Sequence, residues 1–475
     1  MRVATRAKGQ QIYTWILFGF VLGLWSVSAL AEWKAGAAKV DITPGYPVRL
    51  SGYGSRTTEH EGVIRPIHAR ALVLCWGNEK PLVLLTVDNC GVPAALRQEV
   101  VQALIKDGVT DERLAVCSSH THCAPMLTGV LTNLFGKDIP ADQQQRIDRY
   151  TRELRDHMIA VTRQALVGMT RVKVRMGRGE VRFAANRRLK TEDGYQNAAN
   201  YAGPKDHSLP VLFITSEDGK DKIATLSSYA CHCTTVGMNH IHSDWAGCAS
   251  TDLEMRFPGM VALTAIGCGA DQNPYPRKQD ELPMLHGVTL AREVVRVINQ
   301  PTTEVNGPVE ALTSHVTLKF APLPDKAALE KNAKSKNAAV QRHAGLLLKE
   351  LKQRGSINDE LPYMVQAWNF GNDLSMVFLP GEVVVDYVLR IKREFKSDRM
   401  WVNAYSNDVP CYISSERLLG EGGYEVDSSM VYYMKPGRLA SGTENRIIGA
   451  VHQVVAPHFK EPGKDGAASF ASPPR

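Results

Sequence analysis

ALVLCWGNEKPLVLLTVDNCGVPAALRQEVVQALIKDGVTDERLAVCSSHTH, residues 71–122, carries the pattern on which the fold is read. Three short runs rich in branched aliphatic residues, ALVLCW, PLVLLTVD and RLAVCSS, have the length of strands. Between the second and third lies the amphipathic stretch AALRQEVVQALIKDG, with the spacing of a helix. This alternation predicts an α/β chain with a layered, mixed-sheet core.

The same reading extends along the chain. RVKVRMGRGEVRF, residues 171–183, reads as a strand pair, and LPVLFITSEDGKDKIATLSSYA, residues 209–230, as a hairpin turning at SEDGKD. VALTAIG, residues 261–267, is a buried strand, followed by the helix PMLHGVTLAREVVRVINQ. Residues 325–355, rich in Lys and Arg, read as one or two solvated helices ending at Gly355. YMVQAWNFGNDLSMVFLPGE gives two strands joined at Gly371-Asn372-Asp373, after which EVVVDYVLRIKREF is expected to be a helix beginning at Glu382.

Residues 1–31 combine a basic start (Arg2, Arg6, Lys8), an apolar stretch and the small-residue end Ala29-Leu30-Ala31, the layout of a secretory signal peptide. The protein is therefore expected to be secreted or periplasmic, a membrane anchor being the rival reading of that stretch. No linker rich in Pro, Gly or Ser interrupts residues 32–460, which read as one catalytic domain, and residues 461–475 as a disordered tail. Without residues 1–31 the formal charge falls from +7 to +4, since three basic and no acidic residues leave (53 Lys+Arg against 49 Asp+Glu). That is too mild for a nucleic-acid binder. The basic helices leave room for peripheral membrane contact. The nine cysteines lack disulfide-scaffold spacing, and Cys75, Cys90, Cys117 and Cys268 sit in or beside apolar runs as small core residues.

Polar residues gather where the strands end, which is where layered α/β folds place their ligand crevice. SSHTHCAP, residues 118–125, sets His120 and His122 two apart just past a strand. YACHCTTVGMNHIHSDWAG, residues 229–247, adds His232, His240, His242 and Asp244. Five of fourteen histidines thus fall in two short segments, a density that favours a metal site at the strand ends. Neutral imidazole with a carboxylate is a zinc ligand mix, and Glu382 is the natural carboxylate, although an acid in a first helical turn also suits the helix dipole. His240, His242 and Asp244 could instead build a second metal centre or brace the first.

AGAAKVDITP, LSGYG, IHARALVL, SSHTHCAP, YACHCTTV, LPGE, and NDVPCYISSE through GGYEVDSS occur in one order over about Lys34 to Val455. In this the chain resembles the neutral, non-lysosomal ceramidase family's amidase domain. The resemblance implies a single zinc ion, Zn2+, held by His120, His232, Glu382 and Tyr412. It further implies that His122, Arg187 of AANRR and Tyr424 hold a polarised carbonyl oxygen, and that the reaction is hydrolysis of an amide or related acyl bond in a small-molecule or lipid substrate. The family's Gly-Asp-Val-Ser-Pro-Asn turn aligns with GCGADQNPYP, residues 267–276, where Asn273 takes the serine's place. An amide does not form an acyl-enzyme readily, so the expected attacking group is metal-bound water, oriented by Asp271 or Asn273. The chain also ends soon after Tyr424, where family ceramidases continue into a β-sandwich. An inactive, metal-containing binding protein is the alternative from another class.

Overall fold

The computed structural model describes residues 31–461; the expected leader and tail lie outside the described residues, apart from their end residues Ala31 and Glu461. In chain order the strands are β1 (Trp33–Asp41), β2 (His68–Trp76), β3 (Leu82–Val87), β4 (Leu114–Ser118), β5 (Thr170–Glu180), β6 (Ala184–Thr191), β7 (Gly194–Asn200), β8 (Ser208–Ser216), β9 (Lys222–Tyr229), β10 (Val261–Ile266), β11 (Gln272–Pro274), β12 (Thr303–Glu304), β13 (Val309–Lys319), β14 (Glu360–Phe370), β15 (Leu374–Phe378), β16 (Glu382–Val383), β17 (Met400–Asn403) and β18 (Tyr412–Ile413). The helices are α1 (Ala94–Leu104), α2 (Ala141–Val167), α3 (Asp244–Arg256), α4 (Leu282–Ile298), α5 (Lys326–Asn332), α6 (Ala338–Arg354), α7 (Val385–Glu394), α8 (Glu416–Glu421) and α9 (Thr443–Val454).

A mixed sheet runs β10-β9-β8-β5-β1-β2-β3-β4, with β12 added to β5. Strands β2, β3 and β4 are apolar on both faces because both are covered. In β2 and β3, Ala71, Val73, Val83 and Leu85 enter the core shared with α1 to α4, whereas Leu72, Leu74, Leu82 and Leu84 enter a second core. Successive residues point to opposite faces of a strand, so burial on both sides turns the sequence into an unbroken apolar run. The second core is completed by Trp368, Phe370, Met376 and Trp401 from the sheet β13-β14-β15-β17. Two sheets therefore stack face to face. Helices α1 to α4 cover the outer face of the first, and α9 packs against β13 and β14 of the second.

The layered α/β class read from the sequence is the one observed, with two local corrections. RVKVRMGRGEVRF forms one strand, β5, running to Glu180, not a pair. Its glycines serve helix packing: a Cβ on Gly177 would lie 2.5 Å from Val297 Cγ1, and one on Gly179 would lie 2.3 Å from Glu293 Oε1, both on α4. Nor does Glu382 open a helix. It pairs with Tyr412 in the short parallel bridge β16-β18, and α7 begins at Val385, where Asp386 is the first-turn acid. The run Val383-Val384-Val385 favours extended backbone at this point. Residues 325–355 form the helix pair α5 and α6, ended by Gly355 in the left-handed region. Among the described residues no helix is long and apolar enough to cross a membrane.

Candidate metal centre

Parallel neighbours in the large sheet end side by side, and their trailing loops hold the imidazoles. His120 follows β4 with a φ of 58°, a conformation that costs a non-glycine residue and is held by its surroundings. Its Nδ1–H donates to the Cys90 carbonyl at 2.6 Å, in the loop after β3. His232 follows β9, and its Nδ1–H donates to the Gly269 carbonyl at 2.8 Å, in the loop after the parallel neighbour β10. Each carbonyl takes the Nδ1 proton, so both rings turn Nε2 inward.

Those nitrogens meet Glu382. Its Oε2 lies 3.2 Å from His120 Nε2 and 3.1 Å from His232 Nε2, yet this buried oxygen makes no hydrogen bond. Tyr433 donates to the other oxygen, Oε1, and fixes the carboxylate. The Tyr412 hydroxyl stands 3.4 Å from His232 Nε2, carried there by the β16-β18 pairing that sets Tyr412 beside Glu382. Four ligands at zinc's bond lengths of 2.0–2.2 Å would be ~3.3 Å apart along the edges of a tetrahedron. The observed separations fit that edge. His120, His232 and Glu382 form a group able to hold a metal ion.

Electrostatics follow from this packing. Burial disfavours the charged form of His120, but the Glu382 carboxylate prevails and raises the imidazole to about 10. Burial and then the Arg187 guanidinium push His232 down to about 4. Burial works to raise Glu382, and the facing His120 holds it well below the ordinary carboxylate range. Tyr412 is pushed up by burial, while Arg187, donating through Nη2 at 3.0 Å, acts in the opposite direction.

A cavity of about 390 Å³ opens against this cluster. His120, His122, Glu382, Tyr412, Tyr424 and Tyr433 line it. His122 stands edge-on to Tyr53, with its Nε2 3.1 Å from His120 Nε2. It fits there because residue 52 is glycine: a Cβ would lie 2.3 Å from His122 Cγ. Tyr424, 36% exposed, packs its ring 5.4 Å from that of Tyr412.

The remaining expected residues lie elsewhere. Arg187 is buried beside the cavity wall, not in it. Its Nε donates to Glu425 Oε1 at 2.8 Å, and Nη1 reaches His232 Nε2 at 3.2 Å. Glu425 also binds Arg188, so the pair forms a buried brace for Tyr412. Asp271 and Asn273 are fully buried and absent from the wall. Asp271 accepts from the Val385 amide at 2.8 Å and from Asn186 Nδ2 at 3.0 Å, while Asn273 engages Thr234 and Asn197. His240, His242 and Asp244 join no metal-capable group among the described residues. Asp244 instead accepts amide protons from Thr235 and Val236 after His232, and the His242 carbonyl accepts from Thr121, so these two residues brace the loops carrying the first set.

Sequence reasoning missed Tyr433 and treated Cys90 and Gly269 only as core or turn residues. The tyrosine-rich VYYM after GGYEVDSS was the available signal for the first. A second metal-capable group, Cys90, His120 and His122, shares His120 with the first. All nine cysteines are free thiols.

Residues 33–266 match the family model for neutral/alkaline non-lysosomal ceramidase, N-terminal. The chain resembles the neutral ceramidases. The crystal structure of the neutral ceramidase from Pseudomonas aeruginosa superposes with a TM-score of 0.67 at 18% identity, covering 93% of this chain and 78% of that one. A ceramidase complexed with C2 gives a TM-score of 0.67 at 18% identity over 92% of this chain and 78% of its own. At such identity the likeness shows a shared fold. No curated protein matches this chain. The ceramidase-like fold thus extends past the family match to nearly the whole described chain.

Proposed function

We propose that this ceramidase-like chain is an exported zinc-dependent hydrolase of an amide or related acyl bond, with zinc held by His120, His232, Glu382 and Tyr412. The observation that carries this reading is Glu382 Oε2, a buried carboxylate oxygen without a hydrogen bond, set 3.1 to 3.2 Å from two inward-facing imidazole nitrogens. A divalent cation in place of the His120 proton would be ligated by this oxygen and both ring nitrogens together. Zinc when bound supplies an acidified water and polarisation of the carbonyl.

The chain's own residues do the rest. His122 and Tyr424 face the cavity and offer donors to the oxygen that becomes negative as the carbonyl is attacked. Arg187, tied to Glu425, orients Tyr412 and does not touch the substrate. Asp271 and Asn273 hold the backbone behind the site. With Asn273 in place of the family serine, attack by water is the route we assign. The catalytic unit is taken as residues 32–460, and export rests on the leader-like residues 1–31.

The test joins metal content to activity. Purified protein should hold one zinc per chain and hydrolyse a simple N-acyl substrate in a chelator-sensitive way. His120→Ala should remove both properties. Stoichiometric zinc with turnover unaffected by that substitution would sink the assignment.

A further inference from the structure

His122 is held differently from the two imidazoles beside it. His120 and His232 each give an Nδ1 proton to a carbonyl, of Cys90 and of Gly269. The Nδ1 of His122 is buried and makes no hydrogen bond. Its Nε2 faces His120 across 3.1 Å, and otherwise the ring is set by packing against Gly52 and Tyr53, in the segment between β1 and β2. One side chain of that segment fixes the packing. Arg56 is buried, and its Nη1 donates to the carbonyls of Ser51 and His122, both at 2.6 Å, while Nη2 donates to the Met238 carbonyl at 2.7 Å. Its guanidinium carbon lies 4.9 Å from the centre of the Tyr53 ring, whose hydroxyl donates to the Val236 carbonyl at 3.1 Å. Among the described residues no carboxylate pairs with Arg56. A buried cation needs its donors satisfied, and here the carbonyls of three separate segments satisfy them. The planar fork of arginine spans those acceptors, whereas the single nitrogen of a lysine does not.

We infer that Arg56 is a positioning residue for the hydrolysis, holding the His122 ring where it can donate to the oxygen that becomes negative. This rests on the zinc-hydrolase reading above and deepens it. Arg56 is absent from the cavity wall, so it acts through the residues it grips: the His122 backbone directly, and the His122 ring by way of Tyr53. Groups that orient a site from behind are typically worth about 10- to 100-fold in activity. A donor to an oxygen that is negative only in the transition state acts on kcat and leaves KM nearly alone.

The experiment compares the unaltered protein, Arg56→Ala, His122→Ala and the double variant, with zinc content and turnover of a fluorogenic N-acyl substrate measured on each. Arg56→Ala should keep its zinc and lose about 10- to 100-fold in kcat at nearly constant KM. In the His122→Ala background the same substitution should cost less than about twofold, because the group it positions is gone. Arg56→Lys keeps the charge without the fork and should repeat the loss; it carries the same cycle if Arg56→Ala does not fold. Equal losses in both backgrounds would overturn the inference, as would an unchanged kcat or an effect confined to KM. Absence of zinc or of turnover in the unaltered protein would instead remove the parent reading, and this inference with it.

Discussion

Replacing Asp271 by Asn separates a structural carboxyl from a catalytic one. Burial raises this group from the ordinary 3.8 to about 7, with the neighbouring Asp386 charge adding to the effect and the Val385 amide opposing it. The folded state therefore holds a proton that the unfolded state releases between pH 3.8 and about 7. Over that window the folded protein binds more protons, so stability falls as pH rises, and above the folded value it stays flat. A displacement of about three units corresponds to roughly 4 kcal/mol as an upper bound. In Asp271→Asn the titration is gone. The substitution should cost about 1–3 kcal/mol at low pH, because an amide cannot accept from both Val385 and Asn186. That deficit should shrink or reverse as the pH is raised through 7, because only the unaltered protein weakens. Urea denaturation of both proteins across the window reads the difference directly. Parallel stability curves would refute the assigned titration. A folded variant with full zinc and no turnover would refute the structural role, since Asp271 is absent from the cavity wall.

Three further outcomes follow from the same geometry. Zinc added to metal-free protein at about pH 7.5 should release at least one proton per ion, because His120 is held up to about 10 while His232 is already neutral; calorimetry in two buffers counts it, no release would refute the His120 assignment, and apparent affinity should weaken as pH falls. Tyr433→Phe removes the donor to Glu382 Oε1 and should weaken zinc binding about 10- to 100-fold in a chelator competition, with the thermal transition nearly unchanged. Gly52→Ala puts a Cβ against His122 at a φ of 88°, so turnover should drop while zinc content holds, with about 1–2 kcal/mol of stability lost to the backbone conformation alone.

Much of the architecture was legible because it depends on local pattern. The runs around residues 71–118 carried the strands, and the histidines just past β4 and β9 pointed to the candidate site. What was not legible depends on contacts between distant segments. Glu382 looked like a helix-opening acid because its β-bridge partner, Tyr412, lies thirty residues away (412 less 382). Arg187 shows the same limit: its sequence says only that a cation is present, and the fold supplies Glu425 and Tyr412, the distant partners its guanidinium bonds. RVKVRMGRGEVRF read as a strand pair, whereas it forms one strand whose Gly177 and Gly179 leave room for Val297 and Glu293 of α4.

GCGADQNPYP is best understood through its backbone. Gly269 approaches so closely that a Cβ there would lie 2.4 Å from the Cys231 nitrogen, which lets its carbonyl reach His232 Nδ1 at 2.8 Å. Two residues after Ala270 the Gln272 carbonyl accepts the His232 amide at 3.0 Å, and between them the Asp271 carbonyl accepts the Arg187 amide at 2.8 Å. One turn thus orients a candidate ligand by both its ring and its backbone and places the guanidinium that meets Tyr412. Asn273, whose amide group is engaged by Thr234 and Asn197, points to neither the cavity nor the carboxylate. A side chain held in this way is not positioned to attack a carbonyl beside His120. The turn acts on the chemistry through the histidine and arginine it holds, and for that the identity of residue 273 matters less than the carbonyls of Gly269, Asp271 and Gln272.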